Sequence, residues 1–105
     1  MKKIAIKHDL GKPRFDLIPP RALELVAQVM TVGQKEYGDR NWEKGLKWGR
    51  MFGAMMRHAW KWWSCQRYDQ EDRQEHLASV AWCAFALLEY EHTHPELDDR
   101  PKNPF

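Results

Sequence analysis

The stretch that decides the fold is Trp48-Gly49-Arg50-Met51-Phe52-Gly53-Ala54-Met55-Met56-Arg57-His58-Ala59-Trp60-Lys61-Trp62-Trp63. Its large apolar side chains recur every three or four residues, at Trp48, Met51, Phe52, Met55, Met56, Ala59, Trp60 and Trp63. This spacing is typical of one face of an α-helix. The sequence therefore predicts a helix over residues 47–64, with Arg50, Arg57 and Lys61 on another face.

Two further helices are predicted on either side of this one. The first begins at about Pro20, since proline is tolerated in a first helical turn, and ends near Tyr37-Gly38, where glycine favours a left-handed stop. The other is predicted over residues 72–91 and is apolar around most of its circumference, with Leu77, Val80, Ala81, Trp82, Ala84, Phe85, Leu87 and Leu88. Such a helix is usually buried on several sides, which predicts a homo-oligomer.

The 105 residues fit a single domain. We expect an extended leader over residues 1–19, a helical core over 20–92 and a loose tail over 93–105. Three prolines and a glycine between Gly11 and Pro20 stop any helix there, while Ile4 and Ile6 alternate like a very short strand. The predicted fold class is all-α, with three main helices, an extended N-terminal leader and completion as a helical oligomer.

Composition excludes several classes of protein. No run approaches the roughly 18 apolar residues of a membrane span, the start does not read as a signal peptide, and two cysteines indicate a reduced, cytoplasmic chain. The net charge of +2 hides an uneven distribution, because residues 1–63 balance at +7 and residues 64–105 at −5. A basic front half favours an anionic partner, and the small net charge argues against long nucleic acid. An unevenly charged, solvated surface gives the same pattern.

Two basic segments are candidates for phosphate binding. Lys12 and Arg14 flank the rigid Pro13, although an ordinary charged linker has the same composition. The denser segment begins at Lys35 and contains Arg40, Asn41 and Trp42, which are respectively suited to a fork on phosphate, contact with a base edge and stacking on a base. Tyr37 is an alternative stacking residue. A helix C-cap with Asp39 and Asn41 capping the next turn explains the segment equally well.

A second group lies on the second and third helices. Arg57, His58, Lys61 and Trp62 follow one another closely in the second helix, where a solvated stripe with a boundary histidine is the simpler interpretation. Asp69 precedes a predicted helical row of Asp72, His76 and Ser79. A carboxylate and an imidazole four residues apart can hold a divalent metal or act as an acid–base pair. Alternatively, Asp72 and Glu75 simply oppose the helix dipole.

Four segments carry a resemblance to a known family: Gly11-Lys12-Pro13-Arg14-Phe15-Asp16-Leu17-Ile18-Pro19-Pro20, Tyr37-Gly38-Asp39-Arg40-Asn41-Trp42-Glu43-Lys44-Gly45, Arg57-His58 and His76-Leu77-Ala78. Across residues 11–88 the chain resembles the phage dATP/dGTP diphosphohydrolase N-terminal family. The resemblance implies a mostly helical, cytoplasmic protein of a phage or prophage, linked to purine deoxynucleotides. Similar small pyrophosphohydrolases, the MazG-like group, cut between the α and β phosphates with Mg²⁺ and work as oligomers. The carboxylate quartet that holds the metal in that group is missing here.

We therefore expect a purine nucleotide phosphohydrolase using Mg²⁺ or Mn²⁺. Its predicted residues fall into three sets: phosphates and base held by Lys12, Arg14, Lys35, Arg40, Asn41, Trp42, Arg57, Lys61 and Trp62; metal held by Asp69, Asp72 and His76; and catalysis by His58, Asp72 and His76. Two alternatives remain open. One is a non-enzymatic sponge that sequesters a host defence signalling nucleotide, and the other is a protein–protein module that uses the Trp/Met helix as its contact surface.

Overall fold

The chain folds into three α-helices joined by irregular segments. A computed structural model of the protein describes residues 3–102. The helices are α1 (Pro20–Tyr37), α2 (Trp48–Trp63) and α3 (His76–Thr93), with short 3₁₀ turns at Phe15–Leu17, Asn41–Lys44 and Pro95–Leu97. The all-α prediction is confirmed. Within residues 3–102 there is no β-strand, so the short strand expected at Ile4 and Ile6 is wrong.

Helix α3 lies between the other two helices and packs against both. Helix α2 runs antiparallel to it, since the indole Nε1 of Trp48 donates to the carbonyl of His94 at one end and His58 meets His76 at the other. Helix α1 begins near the start of α3, where Arg21 Nη2 lies 3.8 Å from Glu75 Oε2. The central position explains part of the apolar circumference of α3, but Leu77, Phe85 and Leu88 are exposed.

The buried core lies in the half of the α2–α3 pair away from the two histidines. It is formed by Trp48, Met51, Cys83, Ala86 and Tyr90. Ala86 and Tyr90 are fully buried, and the Tyr90 hydroxyl donates a 2.6 Å hydrogen bond to the carbonyl of Trp42. A buried tyrosine needs such a partner for its polar tip. The bond therefore fixes the Asn41–Lys44 turn against α3.

The predicted limits of α1 and α2 agree with the structure to within one residue, but the predicted start of α3 is wrong. The helix begins at His76, four residues after Asp72. In the preceding loop the carboxylates of Asp69 and Asp72 accept hydrogen bonds from the backbone N–H groups of Glu71 and Gln74. Such local bonds favour turns over helix. Asp72 therefore does not share a helical face with His76 and Ser79.

The first part of the C-terminal tail packs on α2, where the sequence predicted a loose segment. Asp99 Oδ1 accepts a 2.7 Å hydrogen bond from the backbone N–H of Gly49, and the Arg100 guanidinium lies 4.8 Å from the ring centroid of Trp48. Leu97 packs against the core. The tail is held because the start of α2 presents an aromatic face and a free helix N–H together. Residues 103–105 lie outside the described part of the chain.

The predicted apolar face of α2 is only partly covered. Trp48 and Met51 are buried, but Phe52, Met56, Trp60 and Trp63 are exposed. Helix α3 reaches one side of α2 and leaves these side chains open. The homo-oligomer expected from the sequence stays a prediction. Among the helices within residues 3–102, none is both long and apolar enough to span a membrane.

Candidate functional site

Three potential metal ligands converge where the C-terminal part of α2 lies next to the N-terminus of α3. His58 lies on α2, His76 is the first residue of α3, and Asp69 lies in the loop between the two helices. One ligand atom from each residue lies within 4.8 Å of the other two. The Nδ1 atoms of the histidines are 2.9 Å apart, and Asp69 Oδ2 is 4.0 Å from His58 Nδ1. We call these three residues the His–Asp–His cluster.

The loop over residues 64–75 folds so that Asp69 reaches the cluster. Tyr68 and Glu75 form an isolated antiparallel bridge, and the backbone N–H of His76 donates to the carbonyl of Arg67 at 2.9 Å. Asp69 uses one carboxylate oxygen, Oδ1, to accept the backbone N–H of Glu71 at 2.7 Å. Its other oxygen, Oδ2, is the one near His58. The backbone of the loop thus positions the carboxylate without consuming both oxygens.

Burial and neighbouring groups shift the pKa values of His58 and Asp69 in the cluster. His76 is only 1% exposed, and its Nε2 has no hydrogen-bond partner among residues 3–102. Burial, and then the nearby His76, lower the pKa of His58, with Asp69 opposing the shift. Burial alone raises the pKa of Asp69, but the backbone N–H groups of Glu71 and Asp72 and the two histidines bring that pKa below its usual value. A neutral His58 imidazole and an ionised Asp69 are the forms that bind metals.

The donor set of the cluster fits a divalent cation. Catalytic metal sites commonly have three protein ligands from histidine and carboxylate, with positions left open for water or substrate. The two histidines and Asp69 would hold such an ion after small side-chain movements, since their ligand atoms lie within 4.8 Å of one another. Without an ion, the two Nδ1 atoms are close enough to share one proton, and the pair can act as a proton carrier.

Asp72, predicted as both a metal ligand and a catalytic residue, lies beside the cluster and does not join it. Its Oδ1 accepts a 2.9 Å hydrogen bond from the backbone N–H of Gln74, and the residue is exposed. His58, predicted to assist catalysis, is instead the third member of the cluster. The seven-residue spacing of Met51 and His58 puts both on the side of α2 that faces α3, and this was the signal for its position.

A cavity of about 750 Å³ lies between the end of α1, the Asn41–Lys44 turn and the start of α2. It contains three predicted nucleotide-binding residues, Arg40, Asn41 and Trp42, together with Tyr37. Arg50 and Met51 of α2 and Trp82 of α3 also line it. The sequence placed Arg50 only on a face of α2 away from the apolar residues. We call this space the α1–α2 cavity.

Two of the cavity residues already have partners within the chain. The indole of Trp42 makes an edge-to-face contact with Trp82, with ring centroids 5.0 Å apart. Arg40 Nη1 lies 2.8 Å from Glu43 Oε1 on the surface. An exposed ion pair is worth about 0–1 kcal/mol, so an incoming phosphate can displace Glu43 at low cost. Because Trp42 already packs against Trp82, Tyr37 is the more exposed aromatic side chain that lines the cavity.

The remaining predicted phosphate-binding residues lie outside both the cavity lining and the cluster. Arg57, Lys61 and Trp62 are exposed on α2 near His58 in the chain. Lys12 and Arg14 are exposed in the leader, where Arg14 Nη2 lies 2.7 Å from Asp16 Oδ2. Lys35 is exposed on the last turn of α1. The predicted basic set is therefore spread over three parts of the molecule.

The cavity and the cluster lie along the same side of α2. Met51 lines the cavity and His58 belongs to the cluster. Seven residues separate them, which is two helical turns, or about 10 Å along the axis. Because α3 packs against this side of α2, the cavity and the cluster are separate sites about two helical turns apart.

Comparisons with known proteins identify the family of the chain. The family described as "dATP/dGTP diphosphohydrolase, N-terminal" matches residues 3–100, and the chain belongs to that family. This confirms the resemblance found in the sequence. A protein of Salmonella phage PMBT28, described as "dATP/dGTP diphosphohydrolase", is 36% identical over 95 residues, which cover 90% of this chain and 32% of the relative. The chain thus spans about a third of the length of this curated relative. No solved structure matches the chain.

Proposed function

We propose that the protein is a purine deoxynucleotide phosphohydrolase that works with a divalent cation at the His–Asp–His cluster. The observation that carries the proposal is the convergence of His58, Asp69 and His76 from three separate parts of the chain. The phage relative described as a dATP/dGTP diphosphohydrolase supports the substrate class. The proposed reaction adds water to a phosphorus atom of dATP or dGTP and releases pyrophosphate, leaving the nucleoside monophosphate.

The α1–α2 cavity is the proposed binding site for the nucleoside. Asn41 offers an amide that can donate to and accept from a purine edge, and Tyr37 offers an exposed ring for stacking. Arg40 and Arg50 place positive charge at the wall of the same cavity. Their guanidinium groups match the geometry of phosphate oxygens. For hydrolysis, the phosphates would have to reach about 10 Å along α2 from this cavity to meet the cluster.

At the cluster, a bound cation would polarise a phosphate oxygen and lower the pKa of a water molecule. His58 and His76 would hold it through imidazole nitrogen and Asp69 through Oδ2. The positive charges of Arg57 and Lys61 on the nearby surface of α2 favour the approach of a polyphosphate. The low exposure of His76 keeps bulk water away from one side of the site.

The test is incubation of the untagged protein with dATP, dGTP and the pyrimidine deoxynucleotides, with Mg²⁺ or Mn²⁺, scored for pyrophosphate. We expect turnover of the purine nucleotides and its loss in Asp69→Asn, which keeps the Oδ1 acceptor for Glu71. Glu71→Gln is the matched control, because it removes one carboxylate charge from the same loop at an exposed position. Absence of turnover with every nucleotide and both metals would contradict the proposal.

Non-catalytic sequestration of a nucleotide is the second candidate. The observation that favours it is the separation of the cavity from the cluster by about two turns of α2. Calorimetry with linear and cyclic purine nucleotides distinguishes the two functions. Tight binding that depends on Arg40 and Arg50, with the nucleotide recovered intact, supports the sponge. Recovery of a monophosphate supports the hydrolase.

A further inference from the structure

We infer that the His–Asp–His cluster selects divalent transition-metal ions, such as Co²⁺ and Zn²⁺, against Mg²⁺. The inference identifies the cation of the proposed phosphohydrolase, so it deepens that proposal. It concerns equilibrium binding by the free protein, which is measured without nucleotide and without turnover. The MazG-like resemblance implies Mg²⁺, and the donor atoms of this chain do not fit that ion.

The first argument is the chemistry of the donors. The cluster offers two imidazoles, from His58 and His76, and one carboxylate, from Asp69. Mg²⁺ is held through oxygen ligands, usually carboxylates, phosphates and several retained waters. Imidazole instead suits zinc, iron, nickel and copper, and affinity rises along the series from Mn²⁺ to Cu²⁺. Two nitrogen ligands out of three therefore favour a transition metal.

The second argument is charge. Asp69 is the one carboxylate in the cluster, so the three ligands together carry a single negative charge. The neighbouring carboxylates of Asp72 and Glu75 are engaged elsewhere, since Asp72 accepts from Gln74 and Glu75 accepts from Arg67. A hard ion that depends on carboxylate charge gains little here, whereas bonds to imidazole do not require it.

The third argument is space and burial. The two Nδ1 atoms are already 2.9 Å apart, and the third ligand atom lies within 4.8 Å of both histidine ligand atoms. Small side-chain movements bring all three onto one ion. His76 is 1% exposed and the side chain of Asp69 is 15% exposed, so an ion at the cluster loses part of its hydration shell. Mg²⁺ dehydrates reluctantly, and this adds to the discrimination.

The experiment uses the untagged full chain after removal of metals by dialysis against a chelator. Calorimetry measures the binding of Mn²⁺, Co²⁺, Zn²⁺ and Mg²⁺, and visible absorption follows Co²⁺. We expect one site per chain for Co²⁺ and Zn²⁺ and at least about tenfold weaker binding of Mg²⁺ than of either, with Mn²⁺ the weakest of the three transition metals. His58→Gln and Asp69→Asn should each weaken Zn²⁺ and Co²⁺ binding by at least about tenfold.

Two matched control variants distinguish metal binding at the cluster from metal binding at other surface residues. Glu71→Gln removes an exposed carboxylate from the same loop, and His92→Gln removes an exposed imidazole from α3. Both should leave the affinities unchanged. Should either cluster variant lose helical circular dichroism, Co²⁺-induced shifts of the His58 and His76 imidazole NMR signals in the unmodified chain replace it as the readout.

The possible results separate this inference from the proposed function. Equal affinity for Mg²⁺ and Zn²⁺, no binding of any ion, or Zn²⁺ binding unaffected by His58→Gln would each overturn the inference. Shifts of imidazole signals other than those of the cluster would do the same. Selective binding of transition metals without hydrolysis of any nucleotide would leave the inference standing and contradict the phosphohydrolase.

Discussion

The Nδ1 atoms of His58 and His76 lie 2.9 Å apart, although the residues are 18 positions apart in the chain. This contact joins the last part of α2 to the first residue of α3. Two imidazoles at this distance share a hydrogen bond when one of them donates and the other accepts. When both are protonated they repel each other, so the contact makes the fold sensitive to acid.

The first prediction is an acid-sensitive contribution from His58. Its pKa in the folded chain is below the ordinary 6.5, chiefly because of burial and then because of His76 and Lys61, while Asp69 and Asp72 oppose the shift. A lowered histidine pKa stabilises the fold above pH 6.5, and the contribution is lost as pH falls from 6.5 through the folded pKa. Urea unfolding of the metal-free chain between pH 5 and 8 should show this loss. In His58→Gln the free energy of unfolding should depend less on pH below 6.5. An unchanged pH dependence would contradict the prediction.

The second prediction concerns His94 and has the opposite sign. The pKa of His94 is raised, first by its hydrogen bond to the carbonyl of Glu43 and then by its contact with the Glu96 carboxylate. Both ring nitrogens are engaged, Nε2 at 2.7 Å and Nδ1 at 2.9 Å. The stabilisation is fully present below pH 6.5 and is lost as pH rises through the raised folded pKa. In urea unfolding of His94→Gln, the free energy of unfolding should no longer fall as pH rises through the pKa of His94. Its decrease at acid pH, which is due to His58, should remain.

The third prediction tests the docking of the tail. Gly45 has φ +102°, and a Cβ there would lie 2.7 Å from Leu97 Cδ1 and 3.1 Å from the His94 ring. Gly45→Ala should therefore lower the free energy of unfolding by about 1–3 kcal/mol through strain and displacement of the tail. Gly33→Ala is the control, since Gly33 lies within α1 and its Cβ would meet nothing within 4 Å. It should raise stability by up to about 1 kcal/mol.

The fourth prediction concerns the buried hydroxyl of Tyr90. Tyr90→Phe removes the 2.6 Å hydrogen bond to the carbonyl of Trp42, which then keeps only its 3.0 Å bond from the backbone N–H of Gly45. The expected loss in chemical denaturation is about 0.5–1.5 kcal/mol. Tyr37→Phe is the matched control, because Tyr37 is 65% exposed and should change stability little. Equal effects of the two substitutions would show that the Trp42 contact contributes nothing.

The fifth prediction separates the two free cysteines. Burial raises the pKa of Cys83 to about 11, with a small opposing effect of Arg57, and its side chain lies in the core. Cys65 is exposed just after α2. Since the thiolate is the reactive form, iodoacetamide should label Cys65 in the folded chain and reach Cys83 only after denaturation. Peptide mapping by mass spectrometry checks this, and rapid labelling of Cys83 in native buffer would contradict it.

The helices could be predicted because their signals are local. Pro20 and Gly38 mark the ends of α1, and the apolar spacing of α2 needs no knowledge of its neighbours. The start of α3 could not be read in this way. Acidic residues before a helix suit both a first turn and a capped loop, and here the side chains of Asp69 and Asp72 bond to loop N–H groups.

The candidate site was only partly predictable for a related reason. Asp69 and His76 stood out by residue type, but their meeting with His58 depends on the path of a loop and on the antiparallel packing of two helices. The helical spacing also could not predict which apolar side chains of α2 are exposed. Helical spacing put Trp60 and Trp63 on the apolar face together with Trp48, yet α3 covers only the part of that face that contains Trp48.

The uneven burial of the tryptophans has a consequence for spectroscopy. Trp48 is 7% exposed and Trp42 and Trp82 are partly buried, whereas Trp60 and Trp63 are 66% and 69% exposed. The tryptophan fluorescence of the folded protein therefore comes from both buried and solvent-exposed indoles, and iodide should quench only the exposed ones. The remaining emission comes from the end of the bundle where the tail docks. The red shift of this emission during denaturation will report unfolding of the end where the tail docks. It will report little on the contact between His58 and His76.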